Sequence, residues 1–205
     1  MSSTFHTIPV SSVAEFKDRG SRFIAYAYPI ETVAGFKEKL AALKKEHPKA
    51  VHHCFAYRIG MDGIQYRSSD DGEPSGTAGR PILGQIDSLG LTNVLVVVVR
   101  YFGGTLLGVP GLINAYKTVT QEALQLAGKI EKPVLRYYRL QFDYTILNEV
   151  MRLVKQYDCQ VRKQEMQLFC LLEIGIPLID IEGMKKKLSD MRGLEYAAIL
   201  DEESR

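Results

Sequence analysis

Hydrophobic and polar positions alternate along several segments of this chain, while other segments repeat apolar residues every three or four positions. The first pattern is typical of half-buried strands and the second of amphipathic helices. The alternating pattern is clearest in the second half of the chain, at Tyr138, Leu140, Phe142 and Tyr144. An unbroken apolar run, Val94 to Val99, predicts a buried strand that continues to Tyr101.

The second half of the chain predicts two helices between four strands. Thr145 and Asp180 can each cap a helix, because each precedes a segment whose apolar residues recur at helical intervals. Pro177 ends a strong strand predicted from Gln167 to Ile176. A shorter strand surrounds Val161, and a last one covers Leu194 to Leu200. The resulting order, β-α-β-β-α-β, is the ferredoxin-like motif, which on its own assigns no function.

The first half mixes strands and helices without strict alternation, which favours an α+β class. Val33, Phe36 and Leu40 follow a helical stripe in a helix expected from about Thr32 to Glu46. A second long helix is expected from about Gly111 to Ala127. The remaining strands are predicted at Arg22–Tyr28, Val51–Ile59 and Ile64–Ser68, with a short helix starting at Pro81.

A boundary is predicted within Ala127–Val134, where a glycine ends the helical pattern and Pro133 prevents its continuation. We therefore expect a first domain over residues 1–131 and a second over residues 135–205. The halves carry similar numbers of acidic and basic residues, so neither is expected to bind a polyanion through net charge alone.

Composition changes this picture little. The 205 residues are 46% hydrophobic and 24% charged, with a formal net charge of +2, as in ordinary globular proteins. The sequence shows no secretory leader and no apolar run of membrane-spanning length, so a cytoplasmic protein without membrane segments is expected. Three widely spaced cysteines, Cys54, Cys159 and Cys170, predict free and mostly buried thiols.

Two glycine-rich segments, Ser68–Pro81 and Arg100–Gly111, each join a predicted strand to a predicted helix. Such loops can aim backbone amides at an anion bound at the helix N-terminus. Neither has the glycine spacing of a P-loop or a dinucleotide-binding turn. The alternative interpretation is two tight turns that need glycine for positive φ angles.

Arg100 has two interpretations, because it ends an otherwise apolar strand. A buried arginine would need a carboxylate, which Asp70 or Asp71 could supply. An exposed one could bind phosphate bidentately, with Tyr101 or Phe102 stacking on a base.

His52 and His53 begin a predicted strand and therefore point to opposite faces of a sheet. With Asp70 or Asp71, one of them could form a hydrolytic metal centre. A hydrogen-bonded structural histidine is the alternative, since no known metallohydrolase spacing accompanies the pair.

The motifs His52-His53-Cys54, SDDGEPSGTAGR from Ser69 to Arg80, and VVVRYFGGTLLG from Val97 to Gly108 resemble the signature segments of the IMPACT family. The resemblance is to its YigZ-like, two-domain bacterial type and covers essentially the whole chain. It implies a first domain similar to the second domain of a small-subunit ribosomal protein. It also implies a ferredoxin-like second domain similar to a late domain of elongation factor G.

Eukaryotic IMPACT proteins are translational regulators that use an additional N-terminal domain, so the resemblance does not extend to their control of a kinase. It does imply RNA or ribosome binding, and a protein partner is compatible with it. On this hypothesis the phosphate contacts are Arg80, Arg100 and Lys117, and Tyr101 is the stacking surface.

The alternatives are a metal-dependent hydrolase of a small phosphorylated or peptide substrate and an interaction module without a site. The hydrolase would use His52 or His53 with acidic residues that otherwise only shape the loop: Asp70, Asp71 and Glu73. No catalytic residue, resident metal or cofactor is assigned from the sequence, and the oligomeric state stays open.

Overall fold

The structure is a computed structural model and describes residues 2–167 and 169–199. Two compact units divide the chain between Lys132 and Pro133. The N-terminal unit covers Phe5–Lys132, and the C-terminal unit combines the residues from Pro133 onward with residues 2–4. The sequence pattern does not indicate that these first residues belong with the second unit.

The N-terminal unit contains an antiparallel five-stranded sheet and three helices. The sheet order is β2-β3-β6-β4-β5, and each neighbouring pair is antiparallel. Its elements are β2 (Ser12–Asp18), β3 (Ser21–Pro29), α1 (Val33–Glu46), β4 (His52–Ile59), β5 (Gln65–Ser69), α2 (Gly79–Ser88), β6 (Val94–Tyr101) and α3 (Gly108–Ala127).

The central strand β6 is buried on both faces, which explains its unbroken apolar sequence. Val94, Val96 and Val98 belong to a core with residues of α2 and α3. Leu95, Val97 and Val99 belong to a second core with residues of α1. Every residue from Val94 to Val99 is fully buried, so β6 fixes the position of the side chains that follow it.

The helix boundaries follow local capping chemistry. Thr32 caps α1 by accepting a hydrogen bond from the Gly35 amide. The helix α3 begins at Gly108, three residues before the predicted start, because Pro110 fits a first helical turn whose amides need no internal partner.

The C-terminal unit has the predicted β-α-β-β-α-β order, and its sheet order is β11-β8-β10-β9. Tyr138, Leu140 and Phe142 face its core as expected. Tyr144 does not continue the alternation, because the chain turns there into a short 3-10 helix and the ring is exposed. The elements are β8 (Leu135–Asp143), α4 (Leu147–Gln156), β9 (Gln160–Met166), β10 (Phe169–Pro177), α5 (Ile181–Ser189) and β11 (Leu194–Ala198).

A further two-stranded sheet pairs β1 (Thr4–Thr7) with β7 (Ile130–Pro133), at a place where the sequence pattern predicts only a connection. The mixed α and β class is thus confirmed. No helix in the described part of the chain has the length and apolar character to cross a membrane.

Candidate functional site

The two glycine-rich loops lie at the same end of the N-terminal sheet. The loop over residues 70–78 follows β5, and the loop over residues 102–107, here the Phe102 loop, follows β6. The register of β4 against β6 pairs His52 with Arg100. Pairing of these strands therefore brings together residues that are 48 positions apart in the chain.

Asp70 is the internal cap of α2. Its Oδ1 accepts hydrogen bonds from the amides of Ala78 and Gly79 at 3.0 and 2.8 Å, and its Oδ2 accepts one from Gly76 at 2.9 Å. Burial alone would raise the pKa of Asp70, but these three amides outweigh it and hold the pKa below the ordinary value. The amides at the N-terminus of α2 are thus bound by a carboxylate of the first loop itself. The sequence had suggested that an external anion could bind there.

Positive φ angles at Asp71 (41°) and Gly72 (90°) turn the chain sharply after Asp70. Beyond this turn, Glu73 is buried and Asp71 remains half-buried. The Asp71 carboxylate accepts a hydrogen bond from the His53 amide at 2.7 Å. Asp71 is therefore also committed to holding the loop against β4.

The partner of Arg100 is Glu73, and the expected pairing with Asp70 or Asp71 is wrong. Nη1 of Arg100 donates to Oε1 of Glu73 at 2.6 Å, and the two side chains are only 6% and 3% exposed. Asp70 and Asp71 are engaged elsewhere, because the Asp70 carboxylate binds amides at the start of α2 and the Asp71 carboxylate binds the His53 amide of β4. At this depth the guanidinium presents no surface to an external phosphate, so the geometry does not fit the direct phosphate contact expected of Arg100.

A buried hydrogen-bond network extends from this ion pair. The Tyr116 hydroxyl donates to the same Glu73 oxygen at 2.7 Å, and the Cys54 thiol lies 3.3 Å from that hydroxyl. Cys54 also donates to the Asp70 carbonyl at 2.9 Å. Burial raises the pKa values of Cys54 and Tyr116 well above their ordinary values, so both stay protonated. An unreactive thiol follows, as expected for Cys54.

His52 and His53 point to opposite faces, as their adjacent positions in a strand require. On the face toward α2 and α3, Nδ1 of His52 lies 2.8 Å from the Asp71 carbonyl oxygen, and Nε2 lies 3.8 Å from Oε2 of Glu73. His53 is buried on the α1 face, in the direction of Leu43. Across residues 2–167 and 169–199, no three His, Cys, Asp or Glu side chains converge to hold a metal ion.

Tyr101 lies on the α1 face, opposite Arg100. Its hydroxyl is 2.8 Å from Nδ1 of His47, whose Nε2 is 2.7 Å from the Tyr26 hydroxyl. The ring is half-buried in this contact. Arg100 and Tyr101 therefore do not form one surface, although they are neighbours in sequence.

The Phe102 loop carries the exposed aromatic ring at this end of the sheet. Phe102 is 48% exposed, and its ring centroid lies 5.8 Å from Cζ of Arg100. Ser21 accepts a hydrogen bond from the Gly103 amide at 3.2 Å. The backbone of Gly103 passes so close to Gly20 that a Cβ there would lie 1.9 Å from the Gly20 carbonyl carbon. The ring is thus presented by a tightly held backbone.

The helix α3 follows this loop, and no side chain of the described residues caps its N-terminus. Val109 and Ile113 are exposed along one side of the helix, and Lys117 continues that line. Arg80 is exposed in the first turn of α2, which packs against α3. Of the four expected RNA contacts, the structure leaves Arg80 and Lys117 exposed, buries Arg100 and places Tyr101 on the other face.

Sequence reasoning missed the roles of Glu73 and Tyr116 and did not separate Phe102 from Tyr101. The alternation of β6 is the signal for that separation, because it assigns Arg100 and Tyr101 to opposite faces before the strand ends. Tyr116 lies on the face of α3 that packs into the core, and its buried hydroxyl requires a polar partner there. Glu73 is the residue that supplies it.

Residues 19–124 match the family model described as Impact N-terminal domain. The IMPACT family member YigZ of Escherichia coli is 38% identical over 184 residues, which are 89% of each chain. A crystal structure of a protein described as hypothetical has a TM-score of 0.76 and 33% identity, covering 98% of this chain and 100% of that one. The two-domain translational regulator Yih1 is 32% identical with a TM-score of 0.39, covering 62% of this chain and 48% of that one. With the family model spanning half of the chain and a relative matched nearly end to end, this chain belongs to the IMPACT family.

Proposed function

We propose that this protein is a cytosolic RNA-binding protein linked to the regulation of translation, and that RNA binds on the Phe102 loop and the adjoining side of α3. One observation carries the proposal. Among the described residues, no side chain caps the N-terminus of α3, which follows an exposed aromatic ring, whereas the amides at the N-terminus of α2 are bound by Asp70.

The electrostatics of this surface support an anionic ligand. Uncapped amides of a helix N-terminus attract a phosphate. Lys117 lies further along the same side of α3, and Arg80 is exposed on α2. The sequence has no acidic residue between Asp87 and Glu122. A phosphate approaching the Phe102 loop therefore meets no carboxylate from its own segment of the chain.

Phe102 supplies the stacking partner that unpaired bases need. Arg100 then has an indirect role, because its buried guanidinium lies beneath the ring and is anchored by Glu73. The link to translation comes from the resemblance to the IMPACT family, in which the relative Yih1 is described as a translational regulator. The proposal keeps Arg80 and Lys117 as phosphate contacts and replaces Tyr101 by Phe102 as the stacking residue.

Titration of a fluorescent single-stranded RNA, followed by anisotropy, tests the proposal together with co-sedimentation on ribosomal subunits over a salt series. Phe102→Ala should weaken RNA binding roughly 5- to 150-fold, because base stacking on an aromatic ring contributes about 1–3 kcal/mol. Lys117→Ala should weaken it less and reduce its dependence on salt.

Matched controls lie elsewhere on the N-terminal unit. Tyr66 is an exposed aromatic residue on β5, and Lys45 is an exposed lysine on α1. Tyr66→Ala and Lys45→Ala should leave RNA affinity unchanged. Equal losses in all four variants, or no binding by the wild type at low salt, would overturn the proposal. Binding to subunits but not to free RNA would assign the surface to a ribosomal protein instead.

A further inference from the structure

A groove on the opposite side of α3 from Lys117 exposes the unpaired edge of the N-terminal sheet. The strand β2 ends the sheet and is paired only with β3 among the described residues. A cavity of about 520 Å³ is lined by three consecutive residues of β2 and three residues of α3: Val13, Ala14, Glu15, Glu122, Gln125 and Leu126.

Consecutive strand residues point to alternate faces of a sheet. A cavity that lay on one face of the sheet would therefore be lined by every second residue of a strand. Val13, Ala14 and Glu15 all line this cavity. The cavity therefore faces the backbone edge of β2, with α3 as its other wall. Unpaired strand edges accept an added strand, whose main-chain hydrogen bonds supply affinity.

Two exposed aliphatic side chains flank the groove. Val13 is 53% and Leu126 is 66% exposed, and exposed aliphatic groups of this size beside an open edge are anchoring points for alternate side chains of an added strand. Val10 is also exposed, just before β2 begins. The groove thus combines a backbone edge with apolar contacts on both sides.

The charge of the groove is negative. Glu15 and Glu122 line it, and its lining contains no lysine or arginine. Glu15 is partly neutralised by Arg22 at 2.6 Å and Lys17 at 3.1 Å. Glu122 is half-buried and has no ion-pair partner among the described residues. Its uncompensated carboxylate therefore makes the net charge of the groove negative.

We propose that this groove binds an extended basic peptide segment of a partner protein, which adds a strand to the edge of β2. Its apolar side chains contact Val13 and Leu126, and its lysine or arginine residues face Glu122. Nine positions separate Lys117 from Leu126, so at about 3.6 residues per turn they lie on opposite sides of α3. The groove is thus separate from the proposed RNA surface.

The test uses the full chain and a capped, fluorescent heptapeptide in which pairs of valines alternate with pairs of lysines, so that each face of the added strand carries both residue types. A second peptide with glutamate in place of lysine is the charge control. The lysine peptide should bind and the glutamate peptide should not. Leu126→Gln and Glu122→Lys should each weaken binding about tenfold, a change of about 1.4 kcal/mol. Lys117→Ala should bind the peptide normally.

Amide hydrogen exchange separates strand addition from a contact made by side chains alone. The β2 amides that do not bond to β3 should exchange more slowly with the lysine peptide bound. Unchanged exchange, or equal binding of both peptides, would overturn the proposal. A dimer in light scattering that Leu126→Gln abolishes would assign the edge to a second copy instead. RNA binding by Leu126→Gln should stay at the wild-type level, which keeps this outcome independent of the RNA proposal.

Discussion

Two ion pairs of equal length in the N-terminal unit differ completely in their surroundings. Arg100 meets Glu73 at 2.6 Å in the core, and Arg22 meets Glu15 at 2.6 Å with the arginine 49% exposed. In water the attraction between two charges is screened and their hydration competes with it. In the core, either charge without its partner is far more costly. The burial of each pair, rather than the distance between its charges, thus decides how much the pair contributes to folding stability.

Arg100→Ala should lower the free energy of unfolding by about 3–5 kcal/mol, because it leaves Glu73 buried without its counter-charge. Arg22→Ala, which breaks the matched exposed pair, should change the free energy of unfolding far less, because solvent screens that pair. Urea unfolding followed by circular dichroism measures both. Similar values for the two variants would contradict the burial argument. Replacing both Arg100 and Glu73 by methionine should cost less than Arg100→Ala alone.

His53 makes the stability of the N-terminal unit depend on pH. Burial lowers its pKa below the ordinary 6.5, although the nearby Asp71 opposes this effect. Nε2 of His53 is also buried without a hydrogen-bond partner among the described residues. The folded protein therefore holds the His53 proton less readily than the unfolded chain does.

The stabilisation that neutral His53 provides should be complete above pH 6.5 and lost as pH falls from there toward the pKa of the folded state. Urea unfolding at intervals between pH 8 and pH 5 measures it. The glutamine of His53→Gln cannot titrate. The difference in unfolding free energy between wild type and variant should therefore be constant above pH 6.5, and below it the wild type should lose stability relative to the variant. A difference independent of pH would refute the assignment.

At the scale of elements, the close approach between the Phe102 loop and the turn before β3 depends on glycine. A Cβ on Gly103 would overlap the Gly20 backbone, whereas a Cβ on Gly84 of α2 would meet nothing within 4 Å. These two positions separate a steric requirement for glycine from a merely tolerated one.

Gly103→Ala should destabilise the protein by at least about 1–3 kcal/mol, because the backbone must move to remove the overlap. It should also weaken RNA binding through displacement of Phe102. Gly84→Ala should instead stabilise by about 0.5–1 kcal/mol through helix propensity. Thermal unfolding measures the change in stability of both variants, and RNA anisotropy measures the loss of RNA binding by Gly103→Ala. A neutral Gly103→Ala would show that the loop is held less tightly than the structure indicates.

Periodicity was sufficient to predict most elements, because alternation and helical stripes are local properties of the sequence. It located β6, α1 and the β-α-β-β-α-β order of the C-terminal unit. It did not identify Glu73 as the partner of Arg100. That choice depends on the positive φ angles of Asp71 and Gly72 and on three amides that engage Asp70. A contact set by loop geometry and by pairing of distant strands has no local signature.

At the scale of the whole molecule, a formal net charge of +2 leaves little long-range attraction for a polyanion. RNA binding must then depend on a few local contacts. Arg80 and Lys117 are the two cations that the proposal assigns to phosphates, and both are exposed. The salt dependence of RNA binding therefore reports how many such contacts with phosphates are made.

With two phosphate contacts, the logarithm of the RNA association constant should fall with the logarithm of salt concentration with a slope of about −1.4, at about −0.7 for each contact on a single strand. Lys117→Ala should reduce the slope to about −0.7. Anisotropy titrations between 50 and 300 mM salt (roughly the range over which such slopes are linear) provide the measurement. A slope several times steeper would indicate a broad basic surface elsewhere on the chain.

Each compact unit contains one cysteine that is fully buried, Cys54 in the N-terminal unit and Cys170 in the C-terminal unit. A thiol reagent reaches such a side chain only when the surrounding structure opens. The two cysteines are therefore built-in reporters of opening, one for each unit. After Cys159 is replaced by serine, their alkylation rates compare the opening free energies of the two units within a single intact chain. Equal rates would mean that the two units have equal opening free energies, and unequal rates would rank their stabilities without cutting the protein.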